Sequence, residues 1–206
     1  MWKNNLTLPL ISLVLAALGA LLLALDFGLR HTSPTSTPAA TAGGSPTLDG
    51  QIAEGEYAHR YHDETTGIDL YWTVLGDQIY FGLRSPGSGW VALALSPSGP
   101  VMQGGDIIIG YLSDGLHIQD EYADSPMSHK ADTELGGQDD ILEAAGSTDD
   151  GGTTIEFRRK LDTGDRYDHP IAEGEEEVQL AYSDSADFAS YHSKRAIVTL
   201  QFLGGG

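Results

Sequence analysis

GWVALALSPSGPVMQGGDIIIGYL (89–112) decides how this chain is read. Two nearly continuous apolar runs, GWVALALS (89–96) and DIIIGYLS (106–113), flank a loop of Ser, Pro and Gly. Short apolar runs bounded by turn-forming residues predict central strands buried on both faces. The loop between them contains Met102. Loops favour Gly, Pro, Asn, Asp and Ser for backbone reasons, and methionine has none of these. Methionine ordinarily fills gaps in a core. A thioether held in a loop is also a metal ligand, and at this point both readings stand.

Outward from this stretch the same pattern repeats. IDLYWTVL (68–75) and QIYFGLR (78–84) are joined by Gly76–Asp77, a two-residue hairpin signal. Asp114–Gly115 turns the chain into LHIQDEYA (116–123). DILEAAGS (140–147), TTIEFRRKL (153–161), EVQLAYS (177–183) and RAIVTLQFL (195–203) read as later strands, and STDDGG (147–152) as another hairpin turn. SPMSHKADTELGGQ (125–138) is polar and glycine-containing and reads as loop. No helical stripe and no internal repeat occurs in this region. The expected fold is all-β, an immunoglobulin-like antiparallel β-sandwich, spanning 48–206.

The sandwich is preceded by two segments of different composition. Within residues 1–30, Leu6–Leu25 is an uncharged apolar run of 20 residues. That is about the length of a membrane-spanning helix and longer than a secretory h-region of roughly 7–15 residues. We expect an N-terminal transmembrane helix acting as an uncleaved signal-anchor, with a cleaved signal peptide as the alternative. Residues 31–47 are rich in Ser, Thr, Pro and Ala and read as a flexible linker. Anchor, linker and domain together place the domain on the extracytoplasmic side of the cell membrane.

Composition excludes several functions. The 206 residues include no cysteine, which removes disulfides, Cys-type zinc sites, thiol catalysis and iron–sulfur clusters. The chain carries 30 acidic and 11 basic residues; all but Asp26, Lys3 and Arg30 lie beyond residue 47. Nucleic acid and anionic lipid are poor partners for such a charge. A protein partner with a basic surface fits it, and so does simple solubility. The acidic turns at 139–140 and 149–150 lack an EF-hand spacing and read as solvated turns rather than calcium loops.

The hydrolase motifs G-x-S-x-G and H-E-x-x-H and the P-loop are absent. His59 and His62, three apart, would point to opposite faces of a strand and make a poor joint metal site. His117, His129 and His169 sit in polar settings and read as surface residues. Met102 and His192 remain, one in the loop after GWVALALS, the other in DFASYHSKRAIV (187–198) just before the last strand. Loops are where sandwiches carry functional residues, and Met/His is an axial pair for haem iron.

GWVALALSPSGPVMQGGDIIIGYL (89–112), IQDEYA (118–123), IEFRRKLDTGD (155–165) and YHSKR (191–195) together resemble the DOMON family. Its members are β-sandwich domains that bind haem or sugars, and the resemblance spans roughly 50–203. It is similar to the haem-binding type, as in the cytochrome domain of cellobiose dehydrogenase and the domains linked to b-type membrane cytochromes. Members of that type carry a Met after the G-W-V strand and a His before the last strand, and Met102 and His192 match those positions. The resemblance implies haem b with Met102 and His192 as axial metal ligands, electron transfer rather than catalysis, and a separate redox partner protein. A haem-free domain binding a sugar or other small ligand is the alternative. Trp90, Tyr111, Tyr122, Phe188 and Tyr191 are candidate pocket walls, and Arg195 or Lys194 a candidate partner for a haem propionate. Gly99, Gly104 and Gly105 would let backbone approach a flat porphyrin closely.

Overall fold

The computed structural model describes residues 44–98 and 101–204, with the backbone of Thr37–Pro38. The predicted transmembrane helix, and most of the linker, lie outside the described residues. No helix among the described residues is long and apolar enough to cross a membrane.

Two six-stranded antiparallel sheets form a sandwich. One has the order β1 (Thr37–Pro38), β2 (His59–His62), β3 (Asp69–Leu75), β4 (Gln78–Ser85), β10 (Gly152–Lys160), β9 (Glu143–Asp149). The other runs β12 (Lys194–Leu200), β11 (Glu176–Tyr182), β5 (Val91–Leu95), β6 (Asp106–Leu112), β7 (Leu116–Ser125), β8 (Ser128–Ala131). The predicted hairpins at 76–77, 114–115 and 147–152 fall where β3–β4, β6–β7 and β9–β10 turn.

Residues 136–138 are irregular as expected, whereas 125–135 are not a simple loop. They form the β7–β8 hairpin and a single helical turn, α1 (Asp132–Leu135). SHKA carries no apolar alternation to announce a strand. Backbone pairing to β7 and the Lys130–Asp124 ion pair at 2.6 Å hold it instead.

The core between the sheets is built from alternate residues. Leu70 and Trp72 of β3, Phe81 and Leu83 of β4, and Ile155 and Phe157 of β10 face Leu93, Ile108 and Leu180 of the second sheet. Phe202 packs edge-on against Trp72 and Phe81, with ring centroids 5.4 and 5.3 Å apart.

The outer faces differ. That of the first sheet is covered by the chain's own segment 49–57. The buried carboxylate of Glu156 accepts hydrogen bonds from Gly50 N and Tyr57 Oη, both at 2.7 Å. A Cβ on neighbouring Gly82 would meet Ile52 Cδ1 at 2.8 Å, so glycine there lets the cover lie flat. The outer face of the second sheet carries the candidate site.

Candidate functional site: an apolar slot on the second sheet

The continuous apolar runs of β5 and β6 reflect two covered faces. Val91, Leu93 and Leu95 enter the inter-sheet core. Their neighbours Trp90, Ala92 and Ala94 point outward, joined by Ile107 and Ile109 of β6 and Ala123 of β7 in a second apolar cluster. Met102, Ala181 and Phe188 pack against it. Apolar side chains on an outer face need a cover. Two loops and the β7–β8 turn supply part of one. The short side chains of Ala92, Ala94 and Ala181 leave a concavity of about 180 Å³ beneath it.

Met102 and His192 both line this slot, with Trp90, Tyr191 and Arg195. Residues distant in sequence are brought together because β5 pairs with both β6 and β11, so the loop after β5 and the loop before β12 overhang the same face. Each loop is tied down. Gly104 N donates to Ala123 O at 2.9 Å and Gly105 N to Met102 O at 2.9 Å. The Gln179 amide donates to Val101 O. Val101 has φ +63°, in the left-handed region that a β-branched residue rarely adopts. Such strain persists where surroundings enforce it, commonly at ligand sites.

The His192 loop is fixed from both sides. Trp90 Nε1 donates to Ser190 O at 3.1 Å, and Ser193 N donates to Tyr182 O at 2.7 Å. Asp187 caps the turn, accepting from Ala189 N at 2.8 Å and from Ser190 N at 2.6 Å. Trp90, only 6% exposed, is therefore both core and pocket wall. Burial, and then the nearby Arg195 guanidinium, lower the pKa of His192. This shift favours the neutral ring, the form in which imidazole binds metal.

Several expectations are corrected. His129 is not a surface residue: it lines the slot with Met127, and its Nδ1–H donates to the buried Glu121 carboxylate. Sequence reasoning missed it because the partner sits on a different strand. Tyr122 lies away from the slot, against Tyr167 at 5.1 Å. Tyr111 and Phe188 belong to the apolar cluster, ring centroids 4.7 Å apart, but do not line the slot. Lys194 is exposed and does not line it either. Gly104 and Gly105 serve their own loop: added Cβ atoms would meet Ser98 Oγ at 2.1 Å and Met102 O at 2.9 Å. Gly99 lies outside the described residues. His59 stacks on Trp72 at 5.1 Å and His62 bonds Asp69 at 2.8 Å, so this pair does other work.

Two solved structures are similar to the chain. The cytochrome b domain of pyranose dehydrogenase from Coprinopsis cinerea is 17% identical, with a TM-score of 0.53 over 70% of this chain and 81% of that one. The cytochrome domain of Myriococcum thermophilum cellobiose dehydrogenase is 12% identical, with a TM-score of 0.47 over 69% and 81%. Among curated protein sequences none is similar enough to this chain to count as a relative. The sequence profile of the DOMON domain matches residues 64–183, more than half of the chain, and the chain therefore belongs to the DOMON family.

Proposed function

We propose that the slot binds haem b, with Met102 and His192 as the axial ligands, and that the domain carries electrons to and from a separate redox protein. The observation that carries this reading is that a thioether and an imidazole, from two independent loops, line one slot with an apolar floor. The donor set suits iron, and the alanine floor suits a flat apolar ring. Arg195 at the same slot is a fitting partner for a propionate. The likeness of the fold to a cytochrome b domain supports the same reading.

Bound there, haem iron would exchange single electrons at a potential that Met/His ligation raises. The chain's residues do the rest. His192 offers its nitrogen unprotonated, Met102 supplies the weaker ligand from a braced loop, and Trp90 anchors the His192 loop while excluding water. A sugar would call for a floor of hydrogen-bonding groups, which alanine and isoleucine do not give. The surface charge favours a redox partner with a basic docking face. The apolar run Leu6–Leu25 supports tethering of the domain to the extracytoplasmic side of a membrane.

The test is an absorption spectrum of the full chain, purified in detergent after expression with haem supplied. A sharp α-band on reduction is the expected result. A colourless protein that takes up no added haemin rejects the proposal.

A further inference from the structure

Away from the slot, at the edge of the inter-sheet core, lies a cluster of acids that the electron-transfer reading does not use. Asp106 opens β6, Asp120 is in β7, and Asp168 lies in the segment between β10 and β11. All three are buried, and one oxygen from each lies within 4.8 Å of the others. Asp132, at the start of α1, is 1% exposed, and neither of its carboxylate oxygens has a partner among the described residues.

The hydrogen bonding of the cluster is half complete. Asp106 Oδ2 accepts from Arg159 Nη1 at 2.7 Å and from His169 N at 2.8 Å, while Oδ1 is buried without a partner. Asp120 Oδ2 accepts from Asp140 N at 3.0 Å, and again Oδ1 has none. Asp168 Oδ2 is 3.1 Å from Arg159 Nη2, without hydrogen-bond alignment. Asp106 and Asp120 are thus each oriented through one oxygen and leave the other over, and Asp168 leaves both. Leaving such an oxygen buried and unpaired is costly.

We propose that Asp106, Asp120 and Asp168 bind one calcium ion, with Asp132 as a further carboxylate beside them. Asp106, Asp120 and Asp168 against the one buried guanidinium of Arg159 leave two negative charges, and Asp132 adds a third, an excess that a divalent cation offsets. The spacing fits: calcium binds oxygen at about 2.3–2.6 Å, so ligands across the ion stand up to roughly 5 Å apart. A dry, all-oxygen site of uneven geometry suits calcium, because magnesium keeps several of its waters and demands an octahedron.

The experiment uses the full chain stripped with EGTA, then titrated with calcium chloride at constant ionic strength and in excess magnesium. One calcium per chain and a raised Tm are expected. Asp120→Asn should abolish that binding, and Asp168→Asn provides a second variant should the first fail to fold. Magnesium or sodium matching the effect of calcium would overturn the proposal, as would a calcium response unchanged in the folded variant, since both describe diffuse binding to an acidic surface. Absence of stoichiometric calcium binding to the wild-type chain would overturn it directly.

Discussion

Whether Met102 is a ligand or a filler is decided by a substitution that keeps its volume. Met102→Leu should cost less than about 1.5 kcal/mol of stability, because it conserves size and apolarity. It should nonetheless remove the low-spin spectrum and lower the midpoint potential. His192→Ala should instead empty the site, since imidazole is the stronger ligand. Spectroelectrochemistry separates the two outcomes. If both variants keep the wild-type spectrum, the assignment of Met102 and His192 fails, and Met127 and His129 of the same slot become the candidate pair. His129 offers a second check. Its hydrogen bond to the Glu121 carboxylate raises its pKa, so the native state holds this proton more tightly than the unfolded chain. The resulting stability is fully present below about pH 6.5, the unfolded value, and fades as pH rises through the higher folded value. Urea unfolding of wild type and His129→Gln should therefore differ more at pH 6 than at pH 9. A pH-independent difference would exclude the ion pair.

Among elements, the alternation along β5 is what makes a site possible. Ala94 faces outward and ends in a methyl group, so Ala94→Phe fills empty space rather than a packed core. Near-UV circular dichroism should show the fold retained while haem uptake is lost. Wild-type uptake by this variant would place the ligand elsewhere. The strands were largely legible in the sequence because apolar runs and turn residues carry their own physics. The β8 strand was not, since pairing with β7 rather than burial of its own side chains makes it extended. Met102 and His192 were legible by residue type and by their place beside strong strands. The acid cluster was not, because Asp106, Asp120, Asp132 and Asp168 each read as an ordinary acid until the sheets bring them together.

For the whole molecule the excess of acids is the governing quantity. The chain carries a formal charge of −19, and like charges on a compact body repel. Raising sodium chloride from about 0.05 to about 0.5 M shortens the screening length severalfold, so Tm should rise. Calorimetry in the presence of EGTA checks this, and a flat or falling Tm would mean that the charges are locally compensated. The two layers of the sandwich also divide the labour of access. β1 (Thr37–Pro38) pairs at an edge of the first sheet, whereas the slot opens on the outer face of the second. The edge strand β1 and the slot thus belong to opposite layers. Under the proposed function, a redox protein docking over Tyr191, 70% exposed beside the slot, would meet the second sheet and leave the layer that carries β1 untouched.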